Sequence, residues 1–252
     1  MLHASFPQPG IDAISSPMRI LPLISIIIGL FSVAPCARGE SSPSEHRLIN
    51  LHQMAPSDFS KLETLKEAID FDHIDTALLD AAVFHETNRR RVDQGLSALN
   101  FKPILREAAR IQARGMVRQE KVTHLHPDGD KKTMADRFDF LGIETMTFAE
   151  NVAMTFGIRY QSGEPIYPRV ENGKKVFSRE PDGTPIQPHT YVSFATQLLD
   201  AWMASPGHRK NILLESITCL GTSSLHDRSG LGMDTFYSAQ EFSADLTVRD
   251  MP

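Results

Sequence analysis

The order of elements along the chain predicts an α+β domain, with a small antiparallel sheet layered between helices. Three observations lead there. Apolar residues recur at helical spacing from Asp75 to just before Pro206. Short extended runs at 217–223 and 235–243 follow, the second alternating Phe236, Ser238, Gln240 and Phe242 with period two. No internal repeat, heptad or glycine-rich phosphate loop competes with this reading. The composition agrees, since 252 residues with 41% hydrophobic and 23% charged side chains exclude collagen-like, low-complexity and disordered chains. A net charge of -5 offers no phosphate-neutralising surface, which argues against a nucleic-acid partner. Cys36 and Cys219 are too few for a disulfide framework or a thiolate zinc site, so a metal would need nitrogen and oxygen ligands.

The chain opens with one long apolar run. Residues 20–34 carry no charge, follow Met18-Arg19 and precede the small-residue site Ala37-Arg38-Gly39. Such a run is short for a bilayer span, and the three features together read as a secretory signal covering residues 1–39. The segment before Met18 is long for a leader and contains Asp12, so Met1 and Met18 both stand as starts. Lipidation at Cys36 is opposed by Pro35, which sits where a small residue is wanted; a retained single anchor is the other alternative. After signal removal no stable membrane span is expected.

Residues 40–74 are polar and weakly periodic, and read as a flexible extension with at most one short helix. The folded domain is expected over 75–245. Asp75 caps a first helix that carries Leu78, Leu79, Ala82 and Val83 and fades by Gly95. Pro103 opens a second, with Ile104, Ala108 and Ile111 on its apolar side, running to about Lys121. Thr133 caps a third that stops at Gly142. In the fourth, Ala195, Leu198, Leu199 and Trp202 fall on one stripe before Pro206 forces an end. Between the third and fourth, an inserted surface hairpin is expected over about 158–189, because Asn172-Gly173 suits a type I′ turn between extended runs.

Four segments could carry chemistry. In "VTHLHPDG", His124 and His126 would share a face of an extended segment, a spacing that serves a metal, although isolated histidines more often only hydrogen-bond. In "FAENVAM", Glu150 sits among apolar neighbours and requires a cationic, metal or hydrogen-bonding partner unless it lies on a wet edge. In "AWMASPGHRKNIL", Pro206-Gly207 reads as a sharp turn followed by His208 and Asn211, and Ser205 lacks the glycine-flanked elbow of a nucleophile. "FHETNRRR" fails as a zincin helix because Arg89 stands where a second histidine is needed; Asn88 and Arg91 are expected to make internal hydrogen bonds. Cys219, in an apolar run, reads as a buried inert thiol.

The order of these segments, from Asn88-x-x-Arg91 through His124, Asp136-Arg137, "AENVA" and "WMASPGHRKNIL" to "AQEF", resembles the bacterial branch of the CAP superfamily, whose members carry SCP domains. The resemblance spans roughly residues 78–243 and implies a secreted α/β/α sandwich with an open cleft of two histidines and acidic residues, which in several members holds a divalent metal. By matching segments, His124 and His208 would be the cleft histidines and metal ligands, and Glu150 its acid. The second cleft acid has no clear counterpart: Asp128, Glu144 and Glu215 are the candidates. The chain departs from the pattern in its inserted hairpin, in His126 and in having no disulfide framework.

Two function classes follow. One is an extracellular binding or interaction module, secreted or held at the cell envelope, with a metal-capable cleft and an unidentified protein, lipid or envelope ligand. The alternative is a metal-assisted, peptidase-like hydrolase, in which His124 and His208 hold a metal such as Zn²⁺ and Glu150 acts as general base. Two protein nitrogens fall short of the usual three-ligand catalytic zinc site, which ranks the hydrolase second and leaves no established reaction. A processing prediction follows from the leader: N-terminal sequencing of protein recovered outside the cytoplasm should begin near Glu40, and a soluble mature chain retaining Met1 or Met18 would contradict it.

Overall fold

The helical stripes close on both faces of a four-stranded sheet. A computed structural model describes residues 43–228 and 232–249; the leader, Cys36 and both candidate starts lie outside the described residues. The helices are α1 (Pro43–Gln53), α2 (Pro56–Phe59), α3 (Thr76–Asp93), α4 (Pro103–Gln119), α5 (Met134–Phe140), α6 (Tyr191–Ala204) and α7 (Pro206–Ile212), with a 3-10 turn at Glu63–Lys66. The strands are β1 (Asn100–Phe101), β2 (Ile143–Glu144), β3 (Phe148–Phe156), β4 (Tyr167–Glu171), β5 (Lys174–Ser178), β6 (Cys219–Asp227), β7 (Thr235–Ser243) and β8 (Thr247–Val248). No helix among the described residues is long and apolar enough to cross a membrane.

The main sheet runs β1-β6-β7-β3. Its long pairings are antiparallel, as expected, but the short β1 joins β6 in parallel, Asn100 opposite Cys219. β7 is central and buried along its whole length. On one face α4 sets Ala109, Ala113 and Met116 against Val152, Tyr237 and Ala239. On the other, α3 and α6 bring Leu78, Phe194, Leu198 and Trp202 onto Phe236 and Phe242. This is the predicted α/β/α layering. α4 packs so close to β6 that a Cβ on Gly221 would stand 2.0 Å from the Arg106 nitrogen, so no larger residue fits there.

The helix boundaries follow their chemistry. Asp75 caps α3 by accepting from the Leu78 N–H at 3.1 Å. Thr133 and Asp136 form a reciprocal capping box on α5. Asn172 (φ 50°) and Gly173 (φ 75°) turn the β4–β5 hairpin with both central residues at positive φ.

Two expectations are corrected. Residues 43–69 are not a flexible extension, because Leu51, Phe59, Leu65 and Ile69 lie in the main core beside Leu79, Phe84 and Trp202. Leu51, Phe59 and Leu65 stand on three separate short elements and Ile69 on none, so no single helical period runs through them, and burial rather than propensity orders the segment. Pro206 does not lead into a loop. It occupies the first turn of α7, where its missing N–H costs nothing, and Ser205 in extended conformation (φ -88°, ψ 120°) makes the whole bend.

Trp202 is 1% exposed and donates its indole N–H to the Val152 carbonyl at 3.4 Å. Trp202→Ala should therefore cost on the order of 3–5 kcal/mol, as a large core truncation does. Urea-unfolding midpoints check this, and a loss under about 1 kcal/mol would contradict the packing.

Candidate functional site

The antiparallel register of β3 and β7 sets Glu150 directly opposite Glu241. Glu150 has Val152, and Glu241 has Ala239, two positions away on the face packed by α4, so both carboxyls emerge on that side. Between them stands Arg137 of α5, fully buried. Its Nη2 donates to Glu150 Oε2 and lies 3.5 Å from Glu241 Oε1, while Nη1 reaches the carbonyls of His124 and Lys131. His124 follows α4 and places Nδ1 2.6 Å from Glu150 Oε1. Both oxygens of Glu150, a residue 8% exposed, are thus engaged by a histidine and an arginine.

Glu241 is wholly buried, and neither of its oxygens makes a hydrogen bond to a described residue. Burial first, and the negative charge of Glu150 second, push its carboxyl well above the usual range, with Arg137 opposing. One guanidinium faces two carboxyls. The arrangement is neutral when Glu241 keeps its proton and Arg137 balances Glu150.

The His124 side chain is 59% exposed, and its hydrogen bond to Glu150 raises its pKa against a smaller effect of burial. His208 lies on α7, where Asn211 donates from Nδ2 to the Glu150 carbonyl at 3.0 Å and to Asn151 Oδ1 at 2.9 Å, docking the helix on β3. Burial, and then the charge of His124, lower the His208 pKa. His124 and Glu150 are therefore brought together from separate segments, and the His208 carbonyl accepts from Asn151 Nδ2, next to Glu150 in β3, at 3.2 Å.

His126 does not join them. It is buried, accepts from the Asp128 N–H at 3.1 Å and packs against α4 so tightly that a Cβ on Gly115 would lie 2.2 Å from its ring. An apolar helix face took one of the two alternating histidines. The three candidate second acids stand elsewhere: Asp128 pairs with Arg118 at 2.9 Å, Glu144 with Arg249 at 3.2 Å, and Glu215 is exposed. The carboxyl that faces Glu150 is Glu241, in "AQEF". Both Glu241 and Arg137 stand in segments of the motif order, "AQEF" and Asp136-Arg137, but nothing local to either segment shows that they meet.

The residues present do not fit a divalent metal centre. Among the described residues no group of three His, Cys, Asp or Glu side chains is arranged to hold an ion. His124 and His208 offer two nitrogens, but the carboxylate that would complete a site is already bonded on both oxygens, and the Arg137 charge sits behind it. A Glu150 held in this way is also poorly placed to act as a general base. The free thiol of Cys219 is buried, as expected of an inert cysteine.

The profile of the cysteine-rich secretory protein (CAP) family matches residues 84–242. No curated protein matches the sequence. Among solved structures, the chain is similar to an extracellular protein containing an SCP domain from Bacillus anthracis str. Ames, with 19% identity over 75% of this chain and 50% of that one, at a TM-score of 0.48. It spans half the length of that protein. It is also similar to an outer surface protein of Borrelia burgdorferi (14% identity, 71% of this chain and 98% of that one, TM-score 0.42) and to the CAP domain of enterococcal PrgA (16% identity, 79% and 78%, TM-score 0.42).

The buried carboxyl carries a pH prediction. A carboxyl whose folded pKa is raised favours the fold below its unfolded value, near 4.5, and loses that stability as pH rises toward the folded value. Glu241→Gln, which does not titrate, should gain on the parent chain as pH rises from about 4.5 to 7. Denaturant midpoints of both across that range measure it, and a difference that does not change with pH would contradict the buried protonated state.

Proposed function

Because the chain belongs to the cysteine-rich secretory protein (CAP) family, we propose that it is an extracellular binding module, secreted or held at the cell envelope, whose cleft takes an anionic or strongly hydrogen-bond-accepting group from its ligand. The observation that carries this reading is the engagement of both Glu150 oxygens by His124 and Arg137. That geometry spends the carboxylate on holding an imidazole rather than on a metal or a water. It leaves His124 half in solvent with Nδ1 fixed as the donor to Glu150, so that Nε2 becomes a donor when the ring is protonated.

The charges give the direction. With Arg137 balancing Glu150 and Glu241 neutral, protonation of His124 makes the cleft locally cationic. A carboxylate or phosphate on a protein, lipid or envelope component has the chemistry to meet it. The same His124 and His208 nitrogens are those a Zn²⁺ ion would use, and the two readings differ in the sign of their pH dependence.

Histidine-ring NMR of the mature chain, titrated separately with inorganic phosphate and with Zn²⁺, separates them. Phosphate should perturb His124, bind more tightly as pH falls from about 8 to 6, and lose its effect in His124→Ala. A metal site predicts the opposite slope, because ligation requires neutral imidazoles. Tight Zn²⁺ binding that weakens on acidification and is abolished in the double variant His124→Ala/His208→Ala would overturn the proposal in favour of a metal cleft.

A further inference from the structure

β3 is the outer strand of the sheet, and its free edge is covered over only part of its length. Hydrogen-bonded and non-bonded positions alternate along an antiparallel ladder. The Gly157 N–H donating to the Asp234 carbonyl at 2.7 Å sets the phase, so residues 149, 151, 153 and 155 exchange bonds with β7. The backbone groups of Glu150, Val152, Met154 and Phe156 then point outward. Asn211 covers the Glu150 carbonyl and the Trp202 indole covers that of Val152. Beyond Trp202 the cover ends, and among the described residues the outward groups of Met154 and Phe156 have no protein partner.

At that point the edge opens into a cavity of about 860 Å³. One wall is the α6 surface at Val192 and Thr196, and the other comes from the insertion, at Tyr160 and Arg179. Met154 and Val192 present 38% and 44% of their surfaces to solvent beside the edge, giving apolar contact on both sides of the free backbone. The charges of the walls are mostly spent: Arg179 pairs with Glu164 at 3.1 Å and Asp200 with Arg90 at 2.8 Å. His189, buried in the lining, is held neutral, with burial pushing it down to about 4. Arg159 makes no ion pair among the described residues, so the cavity holds one uncompensated positive charge.

An unpaired strand edge at the base of a groove is a template for another strand, with main-chain bonds supplying affinity and flanking pockets supplying selectivity. We propose that this groove receives an extended acidic peptide segment of an extracellular partner, which adds as a strand to β3 at Met154–Phe156 and sets a carboxylate against Arg159. None of the groove residues belongs to the His124 cleft, so the two sites are testable separately.

The test uses the ¹⁵N-labelled mature chain and the peptide acetyl-Thr-Val-Glu-Val-Thr-amide. Its amide spectrum should shift at Met154 and Phe156. The same peptide with alternate backbone nitrogens methylated should bind at least about tenfold more weakly, the equivalent of losing one or two ladder hydrogen bonds. Arg159→Glu should turn the preference toward the lysine-for-glutamate peptide, and Thr196→Arg, on the exposed face of α6, should fill the groove and abolish binding while the rest of the spectrum shows an intact fold. No shift at Met154 and Phe156 at millimolar peptide would overturn the proposal, as would equal binding of the methylated peptide. So would sedimentation showing that the free chain pairs with a second copy through this edge.

Discussion

A guanidinium buried between two carboxyls governs how this domain is assembled. Neither Arg137 nor Glu241 could be desolvated alone, and breaking such a buried arrangement by removing one partner typically costs several kcal/mol. Arg137 stands on α5, Glu150 and Glu241 on neighbouring strands, and the carbonyls of His124 and Lys131 accept from the same side chain. One charged group thereby holds a short helix, a loop and the middle of the sheet in register. The His124 ring is oriented as a consequence, because its Nδ1 partner is already fixed by the arginine. The exposed His124 ring is thus held in place by an internal charge balance.

A second polar chain fastens the opposite side of the sheet. Asn211 bonds Asn151, Asn151 donates to the Gln240 side chain at 3.2 Å and to the His208 carbonyl at 3.2 Å, and Gln240 donates to Thr87 at 2.7 Å. Asn88 closes both backbone groups of Leu99, and Arg91 donates to the carbonyls of Ser97, Ile212 and Leu214. The motif segments therefore contain two kinds of residue. Glu150 meets His124 and Arg137, whereas Asn151 and Asn211 tie α7 to β3. Satisfied buried polar groups of this kind specify one packing among several that the apolar residues alone would permit.

The insertion bears on a different part of the surface. Its β4–β5 hairpin pairs only with itself, but Ile158 and Pro188 form a bridge at its base, and Ile158, Tyr160 and Ile186 make a small apolar cluster with Met233. That cluster anchors the base of the insertion and leaves Tyr160 and Arg179 across a gap from α6. Edge strands of this sort are usually blunted by charge, proline or cover. Here Trp202 and Asn211 cover the first half of β3, and the second half lies at the bottom of the groove.

Sequence alone determined the local structure wherever period and capping acted together. Asp75, Thr133, Pro103 and Asn172-Gly173 each impose a backbone geometry on their immediate neighbours, and the observed elements begin or turn at those residues. The apolar stripe of α6 likewise required Trp202 to be inside. Three things were decided only in the tertiary structure. The segment at 43–69 is ordered by side chains spread over separate elements, which no single period can express. His126 and His124 share a strand-like spacing, yet only contact with α4 at Gly115 sends one into the interior and leaves the other beside Glu150. Glu241 became the carboxyl that faces Glu150 because the β3–β7 register sets it there, with Arg137 arriving from a separate helix. Pairing across strands, and the low dielectric that gives a buried charge its leverage, exist only once distant segments have been brought together.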